Sequence, residues 1–405
     1  MPEVLKRMLP DSLATPLQRL ALLALAGAVA ASLLSIAASQ ILLAAAIAGA
    51  VAMRKPDTSE AATLRPLLLV LLALFLWTVL SALTSSDIRL GLGIVRKFYL
   101  FLILPLVPAL ARGRGRLTWI YRAVFAAAAV SSLAGLLQFA ADPGRDLLHR
   151  ISGFMSQWMT YSGLLMLVLV SLTAYVLGAG RRTLGWAIPL AILIFSAIYL
   201  SQTRNAVLGA LAGIATVLAV RRPRAMVAML VLVPVLFVLS PQGIRDRFSG
   251  GWNVSDPNTR NRIELFQTSL RLIRDNPWFG VGPKNVATEA LRYRGSGEYP
   301  DWMYQHMHNN ALQIAAERGI PGLCLWLLFM VRLAWDAWRV LRKKGTKPED
   351  AEATLAATGA LGCWIALMAA GLFEYNFGDS EVLVLFLFMA GAPYAFLVVE
   401  ERADS

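Results

Sequence analysis

AIPLAILIFSAIYLSQTRNAVLGALAGIATVLAVRRPRAMVAMLVLVPVLFVLS, residues 187–240, decides the fold. Three apolar runs follow one another here, parted once by SQTRN and once by RRPR. Each approaches the roughly 20 apolar residues that carry a helix across a bilayer, where about 17 is the lower bound. In hydrocarbon the backbone must satisfy its own hydrogen bonds, so runs of this kind are read as helices. Extended outward, the same pattern predicts spans near 17–34, 36–53, 65–84, 95–112, 117–139, 158–178, 184–201, 204–220, 225–240, 319–340, 352–373 and 382–399. The expectation is an all-α polytopic membrane protein with about twelve transmembrane helices.

Composition points the same way. Of 405 residues, 57% are hydrophobic and 16% charged, which leaves too few polar groups to clothe a water-soluble globule of this length. The formal charge of +13 does not imply nucleic acid, because Lys and Arg stand in short clusters between apolar runs instead of forming one basic face with interleaved aromatics. Cys324 and Cys363 lie in apolar segments without metal-type spacing and read as two buried small hydrophobes. Lys6 and Arg7 precede an apolar stretch ending in SIAASQ, which has some likeness to a cleavage site; the apolar run that follows at once favours an uncleaved anchor.

Short cytoplasmic loops collect Lys and Arg. RKPDTSEAATLR, RGRGR, the pair at Arg181, RRPR and RKKGTK fall on alternate connections, on the side of the basic N-terminus. The opposite connections are SIAAS, SSDIRLG, the loop around Asp142, SQTRN, a long insertion after Pro241, and FEYNFGDSE. This alternation predicts cytoplasmic termini and an extracytoplasmic insertion. Three regions result: residues 1–240 with nine spans, a helical subdomain over 241–318, and residues 319–405 with three more spans.

Within the insertion, Asp256-Pro257 reads as a helix start, Ile263, Phe266, Leu270 and Ile273 recur at helical spacing, and Asn276-Pro277 stops the run. An amphipathic helix lying over the membrane domain is expected. Gly280, Gly282 and Pro283 predict a turn, with a second helix from Lys284 to about Arg294. His308 or Asn309 then opens a third helix, closed by Gly319 and followed by Pro321 at the head of the next span.

Arg204 is the most informative side chain. It sits in a very short turn on the side where basic residues are scarce, and an unpaired guanidinium in a membrane costs several kcal/mol. It either snorkels to the headgroups or holds an anion at the outer surface. Arg262, near the start of the amphipathic helix and assigned to its polar side opposite Ile263 and Phe266, is a second anion candidate, with Arg260, Arg271 and Arg274 as competitors. Arg89, Arg96 and Lys97 also go against the positive-inside trend and are secondary anion contacts. His308, placed at a helix start among arginines, is expected to remain a neutral acceptor suited to general-base work, with His306 and Asn309 beside it. A metal site is not expected, since His306 and His308 diverge if helical and no carboxylate cluster accompanies them. Glu374, Asp379 and Glu381 either orient the histidine or form a plain polar turn.

SQTRNAVLG at a span junction, NRIELFQTSLRLIRDNPWFGVGP in the large loop and HNNALQIAAERGIPGL entering the next span, in that order, resemble the O-antigen ligase and O-antigen polymerase superfamily of bacterial inner-membrane glycosyltransferases. The likeness covers roughly Ser152 to Phe373; the N-terminal spans match by hydropathy alone. The resemblance implies a GT-C-like, metal-independent transferase without cofactor. Its donor would be O-antigen on undecaprenyl pyrophosphate and its acceptor lipid A-core, met from within membrane lipid. By motif, the family's two arginines and histidine fall on Arg204, Arg262 and His308, with Arg260, Arg89, Arg96, Lys97, His306, Asn309 and Asp379 as substrate contacts. Polymerases and protein O-oligosaccharyltransferases of the superfamily share the donor and the motifs. A transporter would use Arg204 as a substrate ligand but should show discontinuous helices in matched halves, and no such pairing is found. A non-catalytic scaffold gives no reason for Arg204 on the sparse side.

Overall fold

The computed structural model describes residues 15–53, 58–113, 115–142, 150–239, 242, 245, 257–297, 299–343 and 350–397. Among these residues there are helices and turns but no strands. The helices are α1 (Pro16–Ala31), α2 (Ile36–Ala52), α3 (Thr58–Leu83), α4 (Ile88–Val95), α5 (Ile103–Ala111), α6 (Arg116–Ala141), α7 (Trp158–Ala179), α8 (Leu184–Ser201), α9 (Arg204–Arg221) and α10 (Pro223–Leu239). After these come α11 (Pro257–Asp275), α12 (Val286–Glu289), α13 (Asn310–Lys343), α14 (Ala351–Ala370) and α15 (Ser380–Gly391). A 3-10 segment, Arg96–Leu102, joins α4 to α5.

Among the described residues, nine helical stretches are long and apolar enough to cross a membrane. Three shorter apolar helices, α1, α2 and α10, stand where the remaining expected spans lie. The architecture is thus an all-α polytopic membrane protein. The helix around Cys363 is buried, but Cys324 is exposed on α13, so the expectation of two buried thiols holds for one of them; both are free.

The helices differ in how far they are enclosed. α7, α14 and the stretch from Ser380 to Leu397 are mostly enclosed by other helices, whereas no residue of α10 is buried. Where lipid tails are as apolar as leucine, helices associate through close packing of small residues. α9 supplies Gly209 and Gly213 four residues apart, and a Cβ on Gly213 would stand 2.7 Å from the Gly362 carbonyl oxygen of α14, while one on Gly209 would stand 2.7 Å from that of Ala366. This contact puts the first residue of α9, Arg204, at the same end of the bundle as the loop that follows α14.

That end carries the helical subdomain. Leu265, Leu272, Val286, Tyr304, Met307 and Ala316 form its small core. The buried Glu264 carboxylate ties it together, accepting from the Gly295 N–H (2.6 Å), the Thr268 hydroxyl (2.7 Å) and the Arg271 guanidinium (3.0 Å). The amphipathic helix α11 exists, beginning at Pro257; Asp256 lies outside the described residues. Its buried face differs from the expected one. Glu264, Leu265, Thr268, Ser269 and Leu272 face the protein, while Ile263, Phe266 and Leu270 are exposed. Polar residues fill the inward stripe because each finds a partner there, a possibility that apolar periodicity does not register. The second expected helix is shorter than read, Val286–Glu289 followed by a 3-10 turn, Ala290–Tyr293.

The subdomain is locked to the bundle at Gly319. This residue breaks α13 with φ 68°, and the last carbonyls of the first segment find partners outside their own helix. Val281 N–H donates to the Ala316 oxygen and Gly282 N–H to that of Glu317, both at 2.9 Å. The Trp77 indole donates to the Arg318 oxygen at 2.8 Å and the Ser81 hydroxyl to the Glu317 oxygen at 2.8 Å. A Cβ on Gly319 would overlap the Trp278 carbonyl and would be held in the left-handed region. Gly319→Ala is therefore expected to cost about 2 kcal/mol or more. Melting of the detergent-purified protein checks this, with Gly185→Ala, which has open space around it, as the near-neutral control.

Candidate active site

The stretch before α13 sets the geometry. Asn309 caps the helix, its Oδ1 accepting from Leu312 N–H at 2.9 Å while its amide donates to the Leu372 oxygen at 3.0 Å. His308 precedes the cap in a left-handed conformation, φ 45°. It therefore stands just before the helix start and not inside the first turn. A carboxylate from another element orients the ring: His308 Nδ1 lies 2.9 Å from Glu374 Oε2, on the loop between α14 and α15. With the proton placed on Nδ1 and donated to Glu374, the neutral ring presents Nε2 as a free acceptor.

His306 reaches the same carboxylate, its Nδ1 3.6 Å from Glu374 Oε1, and its ring centroid stands 4.2 Å from that of His308. The expectation that the two histidines diverge is overturned: the chain is not helical at 306–308, so alternate residues turn to one side. One nitrogen from each and a Glu374 oxygen all lie within 4.8 Å of one another.

Charge gathers around this group. Arg262 is placed with its guanidinium 5.9 Å above the Phe373 ring, next to Glu374 in sequence. Its side chain is solvent-accessible, yet surrounding protein lowers its pKa, chiefly by burial; Glu374 pulls it back up and Arg204 adds to the lowering. Arg262 is thus within electrostatic reach of both Glu374 and Arg204. Arg262 does not lie opposite Ile263 and Phe266; it borders that stripe and turns to the loop after α14. Burial would raise the Glu374 carboxyl, but the His308 hydrogen bond and the two imidazoles outweigh it and hold it below its ordinary value. Burial lowers His306, Glu374 opposes this, and His308 and Lys284 add to the lowering.

The secondary candidates divide. Lys97 donates to the Gly378 oxygen at 3.3 Å, at the edge of the Glu374 loop. Asp379 accepts from the Thr160 hydroxyl at 2.8 Å, joining that loop to α7. Arg260, Arg89 and Arg96 are exposed, and none shows an ion pair among the described residues. Between α3, the 96–102 segment, α13 and the 375–378 loop lies a narrow apolar cleft of about 60 Å³, lined by Leu74, Phe98, Phe101, Trp326 and Phe377, with Lys97 and Arg318 as its charged groups.

Two contributors escaped the sequence reading. Arg150 lies over the Trp158 ring at 5.1 Å, and its pKa is lowered by burial and then by Arg204, which makes it a third guanidinium at this end. The signal that singled out Arg204, a cation on the sparse side, applied equally to Arg150. Gln313, Glu317 and Arg318 are the second. Gln313 accepts from Met307 N–H at 2.8 Å and donates to Glu317 at 2.9 Å, while Glu317 pairs with Arg318 at 2.6 Å, so ALQIAAER holds the histidine segment from below.

Residues 189–327 match the family described as O-Antigen ligase, a stretch that contains Arg204, Arg262 and His308. It is narrower at both ends than the likeness drawn from motifs. No curated protein matches the chain. The match covers less than half of the chain.

Burial raises the Asp379 carboxyl to about 7, with Thr160 opposing and Glu381 and Glu374 adding to it. An acid whose folded-state pKa stands above its unfolded value takes up a proton on folding, so its contribution is most favourable at low pH and is lost as pH rises from about 4 through 7. Asp379→Asn is expected to melt higher than the wild type at pH 8.5, with the difference shrinking at pH 5; melting curves at both pH values measure it.

Proposed function

We propose, from the membership of the O-antigen ligase/polymerase family that the match over residues 189–327 supports, that this chain is an O-antigen ligase. It would move a glycan from undecaprenyl pyrophosphate to a sugar hydroxyl of lipid A-core. The observation that carries this reading is the gathering of His308 and Arg262 around Glu374, with Arg204 within electrostatic reach of Arg262.

The chemistry follows from the residues. Arg204 and Arg262 grip the diphosphate, where bidentate, charge-assisted hydrogen bonds are strongest as negative charge grows on the departing oxygen. His308 Nε2 takes the proton of the acceptor hydroxyl, a step that typically contributes about 10² to 10⁴ in rate. The acceptor oxygen bonds to the anomeric carbon from the face opposite the diphosphate, whose bond to that carbon breaks with the electron pair leaving on phosphate, so the centre inverts. Glu374 holds the imidazole in the required tautomer. The apolar cleft beside the Glu374 loop suits a prenyl chain, and Lys97 at its edge suits a phosphate oxygen.

The site is assigned to the periplasmic face of the inner membrane, with cytoplasmic termini and twelve spans. The alternation of basic loops supports this, as do the links among the outward connections, Ser86 to Asn285, Thr160 to Asp379 and His308 to Glu374. The family's description as a ligase and the late position of the insertion favour ligase over polymerase.

His308→Ala and Arg204→Ala are expected to remain folded and to abolish the lipopolysaccharide ladder in a ligase-null strain; a normal ladder from either would overturn its role. Arg262→Ala is expected to lose transfer while Arg260→Ala keeps most of it, read in the same assay. Glu374→Gln should slow transfer by about one to two orders of magnitude, measured with purified protein, undecaprenyl pyrophosphate glycan and rough lipopolysaccharide. Transfer onto a second lipid-linked repeat unit instead would identify a polymerase, and absence of any covalent transfer would point to a transporter.

A further inference from the structure

We propose that His306, His308 and Glu374 form a reversible binding site for a borderline divalent metal ion such as Zn²⁺, and that the bound ion switches the site off. Two imidazoles and one carboxylate are a donor set that zinc takes readily, leaving one of four positions open. Zinc holds such ligands at about 2.0–2.2 Å, so the edges of its tetrahedron measure about 3.3 Å. Each imidazole already approaches the carboxylate at a comparable distance, His308 Nδ1 standing 2.9 Å from Glu374 Oε2 and His306 Nδ1 3.6 Å from the other oxygen, Oε1. Three candidate donor atoms already sit within 4.8 Å of one another, so small side-chain rotations complete the geometry.

His306 is the informative member. Positioning the His308 tautomer requires only Glu374, and that bond is complete at 2.9 Å. A second imidazole directed at the same carboxylate adds nothing to that task, but it supplies the third ligand a metal needs. The surrounding cations, Arg262 beside Glu374 and Lys284 beside His306, oppose a dication, which makes the site one that fills and empties.

Inhibition follows from proton placement. A neutral imidazole coordinated through Nδ1 carries its proton on Nε2. Binding the ion at Glu374 therefore moves the His308 proton from Nδ1 to Nε2, with no net proton released, and converts the acceptor nitrogen into a donor. Nε2 can then no longer take a proton from a hydroxyl. This consequence rests on the transferase reading; the metal site does not.

Co²⁺ titration of tag-free, detergent-purified full-length protein tests the site directly. The expected result is a set of intense visible bands of a tetrahedral Co²⁺ ion, removed by added Zn²⁺ and weakened about tenfold or more in affinity by His306→Gln and by Glu374→Gln. Absence of the bands in the wild type, or equal binding in both variants, overturns the proposal. If a variant expresses poorly, melting of the wild type with and without Zn²⁺ decides: a higher melting temperature supports the site and an unchanged one overturns it. In the transfer assay, Zn²⁺ should inhibit and a chelator should restore the rate. Bound Co²⁺ with uninhibited transfer would overturn the proton switch, whereas a protein that binds Co²⁺ yet never transfers glycan would overturn the transferase reading alone.

Discussion

The hydrogen bond between His308 and Glu374 joins two loops more than sixty residues apart in the chain, and the rest of the site is arranged around it. A carboxylate that is nearly out of water is costly unless its oxygens are used. Here one oxygen receives His308, the other lies near His306 and accepts from the Tyr375 N–H at 3.1 Å, and the Arg262 charge stands close by. The histidine gains a fixed tautomer and the carboxylate gains compensation.

Helix packing brings this pair to the arginines. Gly209 and Gly213 let α9 approach α14 to backbone contact, so the start of the one helix and the exit of the other share an end of the bundle. Arg204 opens α9 and Glu374 follows α14, and their proximity is thus a consequence of small residues deep in the apolar region. The subdomain completes the arrangement from above. The Gly319 break ends a short helix whose carbonyls are taken up by the 281–282 backbone and by Trp77 and Ser81, which fixes both α11 with Arg262 and the histidine segment against the bundle. Arg204 lies within electrostatic reach of Arg150 and of Arg262, and Arg262 within reach of Glu374, so positive charge gathers at this end of the bundle in a way that suits a multiply charged anion.

Much of the fold was legible because lipid imposes length and composition: apolar runs between charged loops mark helices with little ambiguity. Arg204 was legible for the same reason, as a cation out of place. What the sequence concealed depended on contacts between distant segments. Apolar spacing in α11 pointed to Ile263, Phe266 and Leu270, but the buried stripe is built on Glu264, Thr268 and Ser269, which enter only because partners await them. The convergence of His306 and His308 depended on the left-handed backbone at His308, a conformation that no residue pattern there announces. Glu374 could be noted as an acidic residue near an outer end, but its choice between plain turn and histidine partner was decided by the pairing of two loops. Arg150 was overlooked because its loop carried no other motif.

In the proposed reaction Arg204 and Arg262 hold a diphosphate while His308 faces the incoming hydroxyl. The most direct measurement is a high-resolution electron cryomicroscopy map of the protein in lipid nanodiscs with undecaprenyl pyrophosphate bound. Density is expected for both phosphates between the two guanidiniums, with the prenyl chain entering the cleft lined by Phe98 and Phe101 and His308 Nε2 open toward the space above the phosphates. A diphosphate bound elsewhere on the protein, with Arg204 and Arg262 directed away from it, would overturn the proposed roles of both arginines.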